Sequence, residues 1–338
     1  MHVAAQNSAP ALAHPPAWQV ALQEAVRDPA ELLALLGLGP EWLPGAQRAA
    51  GAFPLRVPRG FVARMRRGDP HDPLLRQVLP LDAELQSVPG YGADPLGELA
   101  AMSEPGVLHK YEGRVLLVTT GACAVHCRYC FRRHFPYGEA NPAPGQWERA
   151  LGHIAADASL GEVILSGGDP LALPDERLAG LARRLAAIPH LRRLRVHTRL
   201  PVVLPERVDA ALLDWLCGTR LQPVLVIHAN HPREIDTAVT EALRPLRERG
   251  VPLLNQAVLL RGVNDAADVL AGLSEALFAA GVLPYYLHLL DPVAGAAHFA
   301  VGEAEARRLH DALRAVLPGY LVPRLVREVP GAPSKVPL

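Results

Sequence analysis

Short apolar runs alternate with longer amphipathic stretches from about residue 107 onward. The runs are RVLLVTT (114–120), EVILS (162–166), LRVHT (194–198), PVLVIHA (223–229), PLLNQAVLL (252–260) and PYYLHLL (284–290). Between them lie stretches with helical periodicity, such as PDERLAGLARRLAAI and DAADVLAGLSEALFAAG. Because nearly continuous apolar strands that alternate with helices are typical of a covered parallel sheet, the pattern predicts an α/β fold. Six such units favour a partial (β/α)6 TIM-like barrel, and a doubly wound open sheet is the alternative.

The chain before residue 106 has a different pattern. PPAWQVALQEAV and DPAELLALLGL have helical spacing, and Asp28-Pro29 is a typical helix start. The stretches that follow are short and are broken by proline and glycine. We therefore expect a mostly helical N-terminal region (1–105), a barrel (106–320) and a C-terminal tail (321–338).

Polar clusters follow most of the predicted strands. A cysteine cluster follows the first run, SGGDP closes the second, HTR the third and HANH the fourth, while Asp291-Pro292 follows the sixth. Asn255-Gln256 lies inside the fifth run. In both candidate folds the functional side chains lie just beyond the carboxyl ends of the strands, so we expect a single site there.

Composition excludes several classes of function. The 338 residues are 50% hydrophobic, and 34 basic residues balance 34 acidic ones, so charge gives no reason to expect nucleic-acid binding. No apolar run is long enough to span a bilayer. The N-terminus lacks a basic segment followed by a strong apolar core, so it does not resemble a secretory signal. We expect a cytoplasmic protein without nucleic-acid or membrane partners.

Three of the four cysteines lie in GACAVHCRYCFRRHFPY (121–137), with the spacing C-x3-C-x2-C. A structural zinc site normally needs four ligands, and His126 could be the fourth only in a tight geometry. Three thiolates, on Cys123, Cys127 and Cys130, suit a [4Fe–4S] cluster with one open iron that can bind a small molecule. A structural or redox metal site is the alternative.

This spacing resembles that of the radical S-adenosylmethionine enzymes. The resemblance implies that the open iron of the cluster binds S-adenosylmethionine. SGGDP is similar to the family's glycine-rich motif, which implies that Gly167, Gly168 and Asp169 contact this cofactor. Tyr129 occupies the aromatic position that lies near the adenine in the family. Without the resemblance, SGGDP would be an ordinary turn and Tyr129 a packing residue.

A narrower resemblance covers residues from about 107 to the end. CRYCFRR, SGGDPL, PVVLPERV, HANHPREI, NQAVLLRGVND and the PSK tail are together similar to the lysine 2,3-aminomutase family. CAVHCRYCFRRHFPY and the short C-terminus resemble the branch that makes (R)-β-lysine to modify elongation factor P. The resemblance implies an isomerase that uses a [4Fe–4S] cluster, S-adenosylmethionine and pyridoxal phosphate. Its implied partners are L-lysine, an external one-electron reductant and the elongation factor P lysyl-ligase pathway.

The family resemblance also assigns residues around pyridoxal phosphate. Lys335 matches the lysine that holds this cofactor covalently, although PGAPSK has fewer glycines than the family pattern. Alone, a lysine so near the C-terminus would be a solvated charge. Lys110, Tyr111 and Arg114 match positions around the cofactor, and Gln256 resembles a further cofactor contact.

The implied substrate contacts are Arg132, Asp291 and Glu328. Arg132 matches the arginine that grips the substrate carboxylate, since a guanidinium fork fits a carboxylate at two points. Asp291 matches the aspartate that binds the far ammonium of lysine, and Glu328 replaces a second aspartate. Two alternatives stay open: an aminomutase for another amino acid such as glutamate, and a non-catalytic iron–sulfur or metal-binding protein.

Overall fold

The computed structural model of the chain describes residues 15–140 and 147–338, which form one sheet surrounded by helices. The strands are β1 (Met102–Glu104), β2 (Val107–Tyr111), β3 (Arg114–Thr120), β4 (Glu162–Gly167), β5 (Arg193–Thr198), β6 (Gln222–Ile227), β7 (Leu253–Val258), β8 (Leu283–His288), β9 (Arg324–Arg327) and β10 (Val336–Pro337). The helices are α1 (Ala17–Gln23), α2 (Pro29–Leu36), α3 (Leu43–Ala52), α4 (Arg59–Val62), α5 (Pro73–Arg76), α6 (Tyr137–Ala140), α7 (Trp147–Ala156), α8 (Asp175–Ala186), α9 (Leu200–Val203), α10 (Ala210–Cys217), α11 (Thr237–Glu248), α12 (Ala267–Ala279) and α13 (Glu303–Val316).

The strands lie in the sheet in the same order as in the chain, from β1 to β10. Strands β3 to β9 run parallel to one another, whereas β2 pairs with β1 and β3, and β10 with β9, in the antiparallel sense. A doubly wound sheet reverses its strand order at a switch point, and this sheet does not. The predicted partial barrel with its six strands is therefore confirmed, and β9 adds a seventh parallel strand.

Alternate residues on the barrel strands face different surroundings. All of β4 is buried, whereas β5 and β7 alternate between buried and half-buried residues. On β5, Leu194 and Val196 are buried in the apolar core, while Arg195 and His197 line a cavity inside the barrel. Because successive side chains on a strand point to opposite faces, one face packs against helices and the other supplies polar groups to the interior.

The N-terminal region shares the apolar core of the barrel. Its helix α2 begins where the sequence predicts, since the Asp28 carboxylate accepts a hydrogen bond from the Ala30 amide at 2.9 Å. Trp18 on α1 is 2% exposed, and the guanidinium of Arg207 lies 4.6 Å from its ring. These helices therefore cover one side of the barrel, while the proposed boundaries at 105/106 and 320/321 stay predictions.

The C-terminal tail returns to the edge of the sheet. Strand β9 pairs with β8 and β10 pairs with β9, and the Leu338 amide donates to the Leu325 carbonyl at 3.1 Å. The sequence pattern predicted no strand here because the segment mixes charged residues and prolines with apolar ones. The pairing places Lys335 beside the carboxyl end of β8.

Across residues 15–140 and 147–338, no helix has both the length and the apolar character needed to cross a membrane. The expectation that the N-terminus is not a secretory signal concerns mainly residues 1–14, which lie outside the described residues.

Candidate active site

A cavity of about 920 Å³ lies inside the partial barrel and reaches the carboxyl ends of its strands. Every residue that the sequence analysis singled out for a cofactor or substrate lines it. They are Lys110, Tyr111, Arg114, Cys123, Cys127, Tyr129, Cys130, Arg132, Gly167, Gly168, Asp169, Gln256, Asp291, Glu328 and Lys335. A cavity of this size is large enough for small-molecule ligands. The structure thus brings these residues together, and their individual roles stay predictions.

The loop after β3 that carries the cysteines is held by the N-terminal region. The His126 amide donates to the Arg56 carbonyl and the Arg128 amide donates to the Gln77 carbonyl, both at 2.9 Å. The His126 ring nitrogen Nδ1 lies 2.8 Å from the carbonyl oxygen of Pro54. His126 is therefore engaged with the protein backbone, which disfavours the alternative that it completes a zinc site.

The three thiols fit a cluster better than a single ion. Within the described part of the chain, no three Cys, His, Asp or Glu side chains are arranged to hold one metal ion. A [4Fe–4S] cluster bonds its thiolates to separate irons, so it does not require such convergence. Burial raises the pKa of Cys123, and it raises the pKa of Cys130 to about 11, so metal binding must displace their protons. Arg199 Nη1 donates to the Cys127 sulfur at 2.7 Å.

Gly167 and Gly168 close the end of β4 against the cysteine loop. Gly167 has a φ of 127°, and a Cβ there would lie 2.5 Å from the Thr120 carbonyl oxygen. A Cβ on Gly168 would lie 2.4 Å from the carbonyl oxygen of Ala122. We expected these glycines to let a ligand approach. The structure adds a second reason for them, because neighbouring backbone already occupies the space where a Cβ would lie, and the contact with a ligand stays a prediction.

Asp169 joins the ends of β4 and β5. Its carboxylate accepts hydrogen bonds from the Thr198 hydroxyl at 2.7 Å and from the amides of Arg199, Leu171 and Leu200 at 2.7, 3.0 and 3.2 Å. Burial raises the pKa of Asp169 to about 6 in spite of these bonds. The Asp169 carboxylate already accepts these hydrogen bonds, so the predicted contact with an amino group of the cofactor would be a further one.

Tyr129 belongs to a buried polar network that the sequence analysis missed. Its hydroxyl accepts hydrogen bonds from Arg199 Nη1 at 2.5 Å and Asn230 Nδ2 at 2.6 Å. Arg199 also donates to Gln77 at 2.7 Å and to Glu234 at 2.9 Å. The network fixes the Tyr129 ring beside the cysteines. The HTR and HANH motifs pointed to Arg199 and Asn230, because both motifs follow strands. Gln77 comes from the N-terminal region, and no sequence motif pointed to it.

Lys335 lies in the cavity instead of being a solvated tail residue. Its ammonium donates to Glu328 at 2.7 Å, and Glu328 accepts a second bond from Lys110 at 3.1 Å. Burial opposes ionisation of Glu328, but the two ammonium groups prevail and lower its pKa to about 2. The chain contains only these two lysines, since its other basic side chains besides histidine are arginines. That composition is a signal that could have singled out Lys110 and Lys335.

Asp291 is a carboxylate without a partner. Among the described residues it forms no side-chain hydrogen bond and no ion pair, although it lines the cavity. Burial, and next the charge of Glu328, raise its pKa to about 7. A buried carboxylate left in this state favours a cationic ligand, because a cation would offset the loss of hydration.

Arg114 is a cation without an ion pair among the described residues, and it lines the same cavity. Its guanidinium lies 4.6 Å from the Tyr111 ring, and in the described ranges it makes no ion pair. Phosphate groups favour such a guanidinium. With Lys335 at the same cavity, the donor set therefore fits pyridoxal phosphate.

Arg132 lines the cavity with its guanidinium paired to a carboxylate of the protein. Its Nε and Nη2 atoms donate to the two carboxylate oxygens of Glu98 at 2.6 and 2.9 Å. The pair is buried, with Arg132 6% and Glu98 3% exposed. A side chain from the N-terminal region thus occupies the two donor atoms of Arg132 that would bind a substrate carboxylate.

Gln256 lies between two histidines on the cavity wall. Its Nε2 atom is 2.9 Å from His228 Nε2 and 3.3 Å from His197 Nδ1. Burial lowers the pKa of His228 to about 3 and holds that of His197 well below its usual range. The Nε2 atom of His197 has no partner in the part of the chain that the structure describes. These neutral groups could bond ligand hydroxyls, which is consistent with the predicted cofactor contact of Gln256.

The chain is similar to known proteins over most of its length. The family model described as "Radical SAM superfamily" matches residues 117–271. The chain is 52% identical over 322 residues to L-lysine 2,3-aminomutase of Escherichia coli, covering 95% of this chain and 94% of that protein. It is 48% identical over 318 residues to L-lysine 2,3-aminomutase of Haemophilus influenzae, covering 94% of each. Identity to the Clostridium subterminale L-lysine 2,3-aminomutase is 34% over 323 residues, covering 95% of this chain and 77% of that protein.

Proposed function

Because the chain belongs to the lysine 2,3-aminomutase family of radical S-adenosylmethionine isomerases, we propose that it converts L-lysine into (R)-β-lysine. The family uses a [4Fe–4S] cluster, S-adenosylmethionine and pyridoxal phosphate. The observation that supports the proposal most strongly is the single cavity that joins the three cysteines to Lys335. A migration of an amino group by radical chemistry needs these two kinds of cofactor next to one substrate.

The cysteine loop is the proposed cluster site. When bound, the reduced cluster and S-adenosylmethionine supply a hydrogen-abstracting radical, and pyridoxal phosphate supplies the carbonyl that carries the migrating nitrogen. Cys123, Cys127 and Cys130 would ligate the cluster, and the Arg199 guanidinium would stabilise the Cys127 thiolate. Tyr129 is held rigidly beside them, which suits the predicted contact with an adenine ring.

The rest of the S-adenosylmethionine site is assigned to the ends of β4 and β7. Gly167, Gly168 and Asp169 would place backbone groups beside the amino acid part of the cofactor. Gln256, which the family resemblance gives only as a cofactor contact, would bond a ligand hydroxyl from the same cavity. The enclosed walls of the cavity would keep water away from the radical.

The opposite side of the cavity is the proposed pyridoxal phosphate site. Lys335 would hold the cofactor covalently, since a lysine amine condenses with an aldehyde. Arg114 has an unpaired guanidinium that would bind the phosphate, with Lys110 and Tyr111 beside it. Lys335 is one of only two lysines in a chain whose other side-chain cations, apart from histidine, are arginines.

A cationic far end of the substrate is favoured by the unpaired carboxylate of Asp291. Glu328 lies near enough to raise the pKa of Asp291, so the two acids together form a site for an ammonium group. Glutamate would bring a further negative charge to these acids. Arg132 would bind the substrate carboxylate. The family consists of enzymes, so the non-catalytic alternative is set aside.

We further assign the product to the modification of elongation factor P. Support comes from the resemblance of residues 121–137 to that branch of the family. The reaction would take place in the cytoplasm, because free thiols for a cluster persist in a reducing compartment and a translation factor is modified there. The reductant would be an external one-electron donor.

The test is an anaerobic assay on protein reconstituted with iron, sulfide and pyridoxal phosphate. After addition of S-adenosylmethionine, dithionite and L-lysine, we expect β-lysine of R configuration by chiral chromatography. Cleavage of S-adenosylmethionine without β-lysine would mean that the substrate is wrong, and turnover of glutamate in its place would identify the alternative. Absence of both reactions in protein with an intact cluster would overturn the proposal.

The destination of the product needs a second assay. The reaction mixture is added to elongation factor P and its lysyl ligase, and the mass of the factor is measured. We expect a larger fraction of modified factor with β-lysine than with the same concentration of L-lysine. Equal modification by both would contradict the assignment to this pathway.

A further inference from the structure

Glu98 occupies the position on Arg132 that a ligand carboxylate would take. The two oxygens of Glu98 accept from Nε and Nη2 of Arg132, which is the two-point arrangement by which an arginine binds any carboxylate. Burial opposes the ionised form of Glu98, but Arg132 and then Lys110 lower its pKa below the usual range. Glu98 is therefore a charged carboxylate at neutral pH.

The hydrogen bonds of Arg132 leave little room for a second carboxylate. A guanidinium has five N–H groups. Two of them bind Glu98, and the two on Nη1 face the Ser166 hydroxyl at 3.0 Å and the Gly167 carbonyl at 3.2 Å. One N–H on Nη2 is left. A ligand carboxylate can bind Arg132 at two points only if Glu98 moves.

Glu98 has a second cation close by. The ammonium of Lys110 lies 3.3 Å from Glu98 Oε1, and it is also paired with Glu328. An ammonium has three donors on a flexible stem, so it can gain an acceptor without a change of backbone. Lysine at this position in a chain of arginines suits an exchange of partners better than the rigid arginine fork does.

Glu98 reaches the cavity from a segment outside the barrel. The Asp94 carboxylate accepts from the amides of Glu98 and Leu99, and Gly97 has a φ of 60°. Two backbone hydrogen bonds of Gly92, with Pro292 and Ala294, tie the segment to the loop that follows Asp291. The N-terminal region thus supplies a charged group to the interior of the barrel.

From this geometry we infer that Glu98 weakens the binding of ligand carboxylates by competing with them for Arg132. Glu98 holds the two donors of Arg132 that a ligand carboxylate would need. When an amino acid binds, Glu98 transfers to Lys110 and releases Nε and Nη2 of Arg132. The inference rests on the proposed function in one respect, namely that Arg132 is the carboxylate site.

The experiment compares L-lysine with 1,5-diaminopentane, which lacks only the carboxylate. Both are titrated into the holoenzyme anaerobically, and the absorbance of pyridoxal phosphate reports the dissociation constants. In Glu98→Gln the charged competitor is gone while the side-chain shape is kept. We expect the dissociation constant of lysine to fall by about tenfold, as for the loss of one charge-assisted contact, and that of diaminopentane to change less than about twofold.

Three further variants test whether the effect comes from the charge of Glu98 beside Arg132. Glu98→Asp keeps the charge but shortens the arm, so lysine binding should differ from Glu98→Gln and stay near the original value. Glu84→Gln is the matched control, because Glu84 forms a buried pair with Arg128 at 2.8 and 2.5 Å and does not line the cavity. It should lower stability without changing the ratio of the two dissociation constants. Arg132→Met should reduce the preference for lysine over diaminopentane.

Weaker lysine binding in Glu98→Gln, with diaminopentane unaffected, would overturn the inference and make Glu98 a residue that only positions Arg132. An unchanged ratio in Glu98→Gln would also overturn it. An unchanged ratio in Arg132→Met would instead refute the assignment of Arg132, which belongs to the proposed function. Thermal unfolding of each holoenzyme separates these results from a failure to fold.

Discussion

The two sides of the cavity are built in different ways. The cysteine side comes from one continuous segment, residues 121–137, backed by buried side chains of the N-terminal region. The opposite side is assembled from distant parts of the chain, with Lys110 on β2, Asp291 after β8 and Lys335 in the tail. Local spacing in the sequence therefore identifies the cysteine site, whereas the site around Lys335 forms only once the strands have paired.

The two sides also differ in what holds them. On the cysteine side, neutral and charged groups form a network in which Arg199 is 5% exposed. On the opposite side, the Lys110 and Lys335 side chains are 17% and 21% exposed and are held by ion pairs with Glu328. Such half-buried ion pairs can exchange partners at lower cost than a fully buried network. We expect the network around Arg199 to be rigid and the ion pairs of Lys110, with Glu98 and Glu328, to rearrange around ligands.

Loss of one cysteine should disable the first side alone. In Cys130→Ala we expect cleavage of S-adenosylmethionine and formation of β-lysine to fall to background, because one cluster ligand is missing. The absorbance of bound pyridoxal phosphate should persist. Cys217→Ala on α10 is the control, since this thiol lies outside the cavity, and it should retain the iron content and activity. Measurable β-lysine from Cys130→Ala would contradict the cluster assignment.

Replacement of Lys335 should disable the second side alone. In Lys335→Ala we expect no borohydride-reducible absorbance and no turnover, while the iron content is kept. Lys110→Arg is the matched control, because it removes the only other lysine and keeps a cation for the phosphate. It should retain the reducible absorbance, and peptide mapping of the reduced protein should find the cofactor on Lys335. Persistence of the reducible absorbance in Lys335→Ala would contradict the assignment.

The same contrast explains how much the sequence could predict. The six apolar runs match β3 to β8 closely, because their residues are buried in the core and must be apolar. The family assignment made from the motifs is confirmed by relatives at 52% and 48% identity. Strands β1, β2, β9 and β10 were not predicted, since they lie at the edges of the sheet, where polar side chains are tolerated.

Contacts between distant residues were also out of reach. Arg132 and Glu98 are 34 residues apart, and Lys110 and Glu328 are 218 residues apart. No spacing rule links such pairs, and charged residues are usually on the surface. The pairing of Arg132 with Glu98 was therefore not predicted, although Arg132 does line the cavity.

The smallest expected effect concerns Asp291 and pH. Its pKa is about 7, raised from an ordinary value of 3.8 mainly by burial. Binding of an ammonium requires the ionised carboxylate, so a proton must leave when the ligand binds below pH 7. The affinity for lysine should therefore rise with pH up to about 7 and then level off, with at most about a tenfold change per pH unit below that point.

Asp291→Asn should remove this pH dependence and leave a weaker, flat affinity. Near about pH 8 the loss should be about tenfold or more, because a charge-assisted hydrogen bond contributes about 1.5–3 kcal/mol. L-norleucine is the matched ligand, since it is lysine without the far ammonium, and its affinity should change little in the variant. If the variant binds lysine with the original pH dependence, another group receives the ammonium. Glu328 would not account for that dependence, because its pKa of about 2 keeps it ionised throughout this pH range.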